Sequence, residues 1–146
     1  AWVKAQWGGK LILKGIQDVE DAKLAAQSGA DAIVVSNHGG RQLDGAQSSI
    51  EALPAIVAAV GDQIEVWMDG GIRSGQDVLK AWALGARGVL IGRAMVYGLG
   101  AMGEAGVTKA LQIIHKELDV TMAFCGHTNI QNVNTNILLR GTFPTA

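Results

Sequence analysis

The segment Ser36-Asn37-His38-Gly39-Gly40-Arg41-Gln42-Leu43-Asp44 holds the residue types from which a small acid–base site can be made. His38 offers a base that works near neutral pH, and Arg41, three residues on, offers a planar fork that fits a carboxylate. The two glycines between them let the backbone pass close to a flat or bulky ligand. The same spacing also fits an ordinary polar turn. What favours chemistry is the company it keeps: Lys14 upstream, and two Gly-rich turns downstream, Asp69-Gly70-Gly71-Ile72-Arg73 and Gly92-Arg93. Successive backbone N–H groups in such turns suit an anion, and Arg73 and Arg93 can add charge-assisted bonds.

These residues need elements to hold them, and the chain repeats itself in a way that supplies them. Gly15-Ile16, Asp21, Ala25 and Gly29-Ala30 return 56 residues later as Gly71-Ile72, Asp77, Ala81 and Gly85-Ala86. Each copy reads as a turn, an amphipathic helix, a Gly-Ala stop and a short apolar strand. Continuous apolar strands are what a parallel sheet buried on both faces requires. Strands are expected at Leu11 to Leu13, Ala32 to Ser36, Ile64 to Met68 and Gly88 to Ile91. Asp18 and Ser74 read as helix caps, each with an acidic residue three positions on, and Gly29 and Gly85 as stops. Ile50, Leu53, Val57 and Val60 form one further helical stripe, with Pro54 tolerable near its start; Val107, Leu111, Ile114, Leu118 and Met122 form another.

Four consecutive β/α units fit an open doubly wound sheet or part of a (β/α)8 barrel. An open sheet usually carries a Gly-rich fingerprint after its first strand, and here Lys14-Gly15-Ile16 stands there instead. The Gly-rich turns follow the last two strands, and barrel phosphate sites often lie after strands seven and eight. The expectation is an α/β chain forming the C-terminal half, strands five to eight, of a TIM barrel over residues 1–146. A whole barrel typically takes ~250 residues, so the N-terminal half is read as absent.

Composition narrows the partners. The 146 residues are 49% hydrophobic, with 12 Lys+Arg against 13 Asp+Glu, which excludes disorder and gives no basic field for nucleic acid. No Trp or Tyr is interleaved with basic clusters, and no His/Cys/Asp/Glu grouping has metal-ligand spacing. The longest apolar stretch, Leu53 to Val60, is too short to span a membrane, and the start does not read as a signal peptide. Cys125, the single cysteine, excludes an intrachain disulfide and reads as an inert thiol; His115 and His127 read as solvated.

The run S-N-H-G-G-R-Q at Ser36 to Gln42, with Lys14 before it and D-G-G-I-R and G-R after it, resembles the FMN-dependent α-hydroxy-acid oxidases and dehydrogenases. That family includes glycolate oxidase, L-lactate dehydrogenase and mandelate dehydrogenase, and the chain looks most like the bacterial L-lactate dehydrogenases. The resemblance implies oxidation of an (S)-2-hydroxy acid to the 2-oxo acid. His38 would be the base and Arg41 the carboxylate clamp. Lys14 would face the flavin and Ser36 would help seat it, while Asp69, Gly70, Gly71, Ile72, Arg73, Gly92 and Arg93 would hold the ribityl chain and phosphate of FMN. It also implies oxygen or a quinone as electron acceptor, a homotetramer, and a location in the cytoplasm or at the inner face of the cell membrane. The family's first four strands, substrate-side tyrosines and histidine-orienting aspartate lie outside this sequence, so the chain alone is expected to be inactive. A non-catalytic flavin- or phosphate-binding half-barrel, pairing with itself, is the competing reading.

Overall fold

Apolar runs alternating with capped helices predict β/α units, and the computed structural model, which describes residues 2–145, forms four of them. A short helix α1 (Trp2–Trp7) leads into β1 (Ile12–Ile16), α2 (Val19–Gln27), β2 (Ala32–Val35), α3 (Ser49–Val60), β3 (Glu65–Met68), α4 (Gly75–Ala83), β4 (Gly88–Val89) and α5 (Arg93–Phe124). The strands form one parallel sheet in the order β1-β2-β3-β4. This is the half-barrel arrangement that the sequence predicts.

The period of two along each strand sorts its residues. Ile33, Val35, Val66 and Met68 pack beneath the helices with Leu53, Ile56 and Val60 in the main core. Burying each large aliphatic side chain contributes roughly 1.5–3 kcal/mol. On the other face, Lys14, Val34, Trp67 and Gly88 lie level across the register. Gly88 fits closely there: a Cβ would come 3.2 Å from the Trp67 ring, which would have to give by a few tenths of an ångström.

The caps form as read. The Asp18 carboxylate accepts the Glu20 and Asp21 N–H groups, and Ser74 with Asp77 closes a capping box on α4. Three expectations are corrected. The first strand runs on to Ile16, because the register slips at Gly15 (φ 98), so Lys14 sits inside the strand and not at its end. The last strand stops at Val89, two residues early, its pairing with β3 ending at Met68–Val89. The last helix starts at Arg93, well before the predicted stripe, and breaks at Met102 and Gly103. Across that break Gly98 and Gly106 meet backbone to backbone; a Cβ on Gly106 would lie 1.8 Å from the Gly98 carbonyl oxygen. Within the stripe, Leu118 and Met122 pack on Leu79 of α4, while Leu111 is 52% exposed. Pro54 stands in the second turn of α3, where it removes one helical N–H.

At the end of the sheet where the strands begin, Asp31 ties α1 to β1. Its carboxylate accepts from Lys4, from the Leu11 N–H at 2.8 Å and from Lys10 at 2.9 Å. Those bonds, Lys4's first, hold the Asp31 carboxyl far below the usual carboxylate range.

Candidate active site

At the opposite end, the alternation that placed Lys14, Val34 and Trp67 on one face places Ser36 and Asp69 there too, one step past β2 and β3. Lys14 reaches both: its ammonium donates to Ser36 Oγ at 2.9 Å and lies 2.6 Å from Asp69 Oδ2. Asp69 Oδ1 is buried and has no hydrogen-bond partner among the described residues, which leaves an acceptor at the cavity wall.

His38 begins a 3-10 turn, His38–Gly40, directly beyond β2. It is the one non-glycine among the described residues with positive φ, at 55°, followed by Gly39 and Gly40 at 69° and 71°. The left-handed backbone at Gly39 is what favours glycine next in line, and the chain there passes the Arg93 guanidinium at van der Waals distance. Three successive N–H groups are bonded to side chains: Asn37 to Ser49 Oγ (3.1 Å), His38 to Ser36 Oγ (3.1 Å) and Gly39 to Asn37 Oδ1 (2.9 Å). Backbone strain of this kind persists only where neighbours over-determine it.

Around these elements lies a cavity of about 370 Å³. Ten of the eleven residues singled out from the sequence face it: Lys14, His38, Arg41, Asp69 to Arg73, Gly92 and Arg93. The eleventh, Ser36, is 2% exposed and stands behind the wall, holding Lys14 and His38. Ile72 has its side chain in the core, 5% exposed, and so anchors its turn. Lys14, Arg41, Arg73 and Arg93 surround the space with one carboxylate, Asp69, among them. That excess of positive charge suits a ligand with more than one anionic group.

The two Gly-rich turns differ. In the first, the Arg73 and Ser74 N–H groups both donate to Asp77 Oδ2 at 3.0 Å, and the Gly75 N–H donates to Glu117 Oε2 at 3.0 Å. In the second, Gly92 carries no side-chain cap, and a Cβ there would meet nothing within 4 Å. An anion can therefore take the backbone of the second helix start, whereas at the first it is left with Gly70, Gly71 and the Arg73 side chain.

A second cavity, of about 630 Å³, lies between the first turn and the tail residues Ile137, Leu138 and Phe143. Its one cation is Lys80, and its one carboxylate, Asp77, is already engaged in the cap. The chemistry points to the smaller space. His115 is exposed, and Cys125 packs against the cluster around Leu79. No local pattern points to Ser49 or Glu117, which act across 12 and 42 residues of chain; only a three-dimensional contact reveals them.

Residues 1–140 match the FMN-dependent dehydrogenase family. An L-lactate dehydrogenase of Caulobacter vibrioides (strain NA1000 / CB15N) is 58% identical over 137 residues, covering 94% of this chain and 36% of that protein. A pre-mycofactocin synthase of Mycobacterium tuberculosis (strain CDC 1551 / Oshkosh) is 53% identical over 133 residues, covering 91% and 34%. Among solved structures, a mandelate oxidase variant with the monooxide FMN adduct superimposes with a TM-score of 0.86 at 51% identity, covering 89% of this chain and 41% of that one. A mandelate oxidase variant with benzaldehyde gives 0.88 at 46% identity, covering 99% and 42%. The chain spans about a third of the length of the curated relatives it matches.

Proposed function

The chain belongs to the FMN-dependent dehydrogenase family, and from that premise we propose that it supplies the base, the carboxylate clamp and the phosphate cradle of an FMN-dependent (S)-2-hydroxy-acid oxidoreductase. The observation that carries this reading is the meeting of His38 and Arg41 with an uncapped helix start and three further cations in one cavity. FMN, when bound, supplies the two-electron acceptor.

The residues present fit that cofactor. Gly92 and Arg93 offer its phosphate an uncapped helix N-terminus with a guanidinium beside it. The unpartnered Asp69 Oδ1 offers an acceptor for a ribityl hydroxyl, and the open space over Gly71 leaves room for the chain. Lys14, fixed by Ser36 and Asp69, sets a positive charge at the cavity wall.

The substrate carboxylate then pairs with the Arg41 fork, which presents two parallel donors and so fixes orientation as well as position. The hydroxy-bearing carbon, one bond away, is held beside His38, and the imidazole takes a proton from the substrate as it is oxidised to the 2-oxo acid. In this reading the partners are the small hydroxy acid, an electron acceptor (oxygen or a quinone) and the other half of the barrel.

Anaerobic reduction of the flavin by (S)-lactate, glycolate or (S)-mandelate in the full-length protein tests it, with and without His38→Gln. Loss of a general base typically costs ~10²–10⁴-fold in rate, and FMN content is expected to stay the same, because Lys14, Arg73 and the Gly92–Arg93 helix start do not lean on the imidazole. Flavin bleaching at an undiminished rate in His38→Gln would remove His38 from the role. FMN binding with no reduction by any hydroxy acid would favour the non-catalytic half-barrel.

A further inference from the structure

Ser48 and Ser49 stand side by side at the start of α3 and point to different tasks. Ser48 closes on its own helix: its Oγ donates to Glu51 Oε2 at 2.7 Å, and its N–H donates to the same oxygen at 3.2 Å. Ser49 turns away from its helix, is 2% exposed, and accepts the Asn37 N–H at 3.1 Å. Asn37 immediately precedes His38, and Gly70 of the neighbouring turn closes over the same spot. A Cβ on Gly70 would lie 2.9 Å from Ser49 Oγ and 3.3 Å from Asn37 Oδ1.

We propose that Ser49 is a positioning residue for His38, holding the turn that carries the imidazole against the turn that carries Asp69 and Arg73. This rests on the reading of His38 as the base. Of the three side-chain oxygens that hold the N–H groups of residues 37, 38 and 39, two come from Ser36 and Asn37, within or next to the turn itself. Ser49 is the only one of the three supplied by another element. The positive φ of His38 is disfavoured for a side chain with a Cβ, so the turn needs that outside support to keep its shape. Without the Ser49 hydroxyl, the Asn37 N–H loses its partner in a partly buried place. The turn then relaxes toward ordinary backbone angles, which carries the imidazole away from a substrate held at Arg41.

The test uses the full-length, FMN-loaded protein with Ser49→Ala, Ser49→Thr and Ser48→Ala. Two quantities are read: the rate of anaerobic flavin reduction by (S)-lactate, and amide hydrogen exchange in the peptide spanning residues 36–47. Ser49→Ala is expected to slow reduction about tenfold, in keeping with an unsatisfied buried donor, and to speed exchange in that peptide at unchanged FMN content. Ser49→Thr, which keeps an oxygen at the same place, is expected to restore both. Ser48→Ala removes the capping box of the same helix and so matches a loss of helix stability, but is expected to leave both readouts near wild type. Equal slowing in Ser48→Ala and Ser49→Ala would overturn the proposal, as would unchanged exchange in Ser49→Ala. If no hydroxy acid reduces the wild-type flavin, the functional reading fails by itself, and the exchange measurement still decides whether Ser49 holds the turn.

Discussion

α4 and α5 start from Gly-rich turns after neighbouring strands, yet their N-termini are in opposite states. At α4 the Gly75 N–H is taken by Glu117 and the Asp77 N–H by Ser74 Oγ, while the Asp77 carboxylate holds the Arg73 and Ser74 N–H groups just ahead of the helix. At α5 the cap position is a glycine with empty space beside it, next to Arg93 and open to the cavity. A helix N-terminus carries partial positive charge from unsatisfied N–H groups, and that charge serves either the protein or a ligand. The α4 start is a closed wall, and the α5 start is, on the proposed reading, an open receptor for the phosphate. The sequence marks the difference: S-x-x-D closes a helix upon itself, whereas a lone glycine leaves it open.

The largest effect is expected from making the second start resemble the first. Gly92→Asp places a carboxylate where the FMN phosphate is proposed to bind, and there is room for its Cβ. Like charges ~4 Å apart at a protein surface repel by about 4 kcal/mol, enough for a loss of FMN affinity of roughly a hundredfold or more. Titration of the full-length apoprotein with FMN, followed by flavin fluorescence, measures this. Affinity equal to wild type would mean that the phosphate sits elsewhere and that the open start has another purpose.

A smaller effect is expected from loosening the first start. Glu117 reaches from α5 to the Gly75 N–H, where Gly75 has no room for a side chain; a Cβ would lie 1.9 Å from the Leu118 nitrogen. Glu117→Ala frees that N–H and slackens the turn holding Asp69 and Arg73. A lost cap costs about 1 kcal/mol, which corresponds to an FMN affinity about fivefold weaker if all of it reaches the turn. Glu117→Gln keeps an acceptor oxygen and is expected to restore binding. Equal losses in the two variants would show that charge, and not the bond, matters at this place.

Much of this is legible in the sequence. The strands stood out because a sheet buried on both faces demands unbroken apolar runs, and the caps of α2 and α4 because their side chains act within three residues. The ten residues round the cavity could be gathered because parallel strands bring their C-terminal ends together, whatever their separation in sequence. What escaped depends on contacts with no local period. Ser49 and Glu117 bind backbone in other elements, and neither neighbouring residue types nor spacing betrays them. The start of α5 was hidden for another reason: Gly92, Gly98, Gly100 and Gly103 weaken helix propensity there, and the tight Gly98–Gly106 contact makes up for it.

The smallest effect is the control on which the comparison stands. Asp18 is the N-cap of α2 as Ser74 is the N-cap of α4, accepting the Glu20 N–H at 2.8 Å and the Asp21 N–H at 3.3 Å, but it takes no part in the cavity wall. Its helix belongs to the other copy of the repeated unit, so sequence context and cap chemistry are close to matched while the distance from the ligand is not. Asp18→Ala is expected to remove about 1 kcal/mol of stability, a lowering of Tm by about 2 °C, with FMN affinity unchanged. Asp18→Asn, an equally good cap, is expected to restore the Tm. The pair of measurements separates two explanations for Glu117→Ala that a single variant leaves entangled. If the loss of any helix cap weakens FMN binding, Asp18→Ala and Glu117→Ala will do so alike, and the closed start of α4 is merely one more stabilising cap. If only Glu117→Ala does, the carboxylates at α4 act on the turn beside the ligand. A fivefold loss of FMN affinity in Asp18→Ala would therefore sink the distinction between a closed wall and an open receptor.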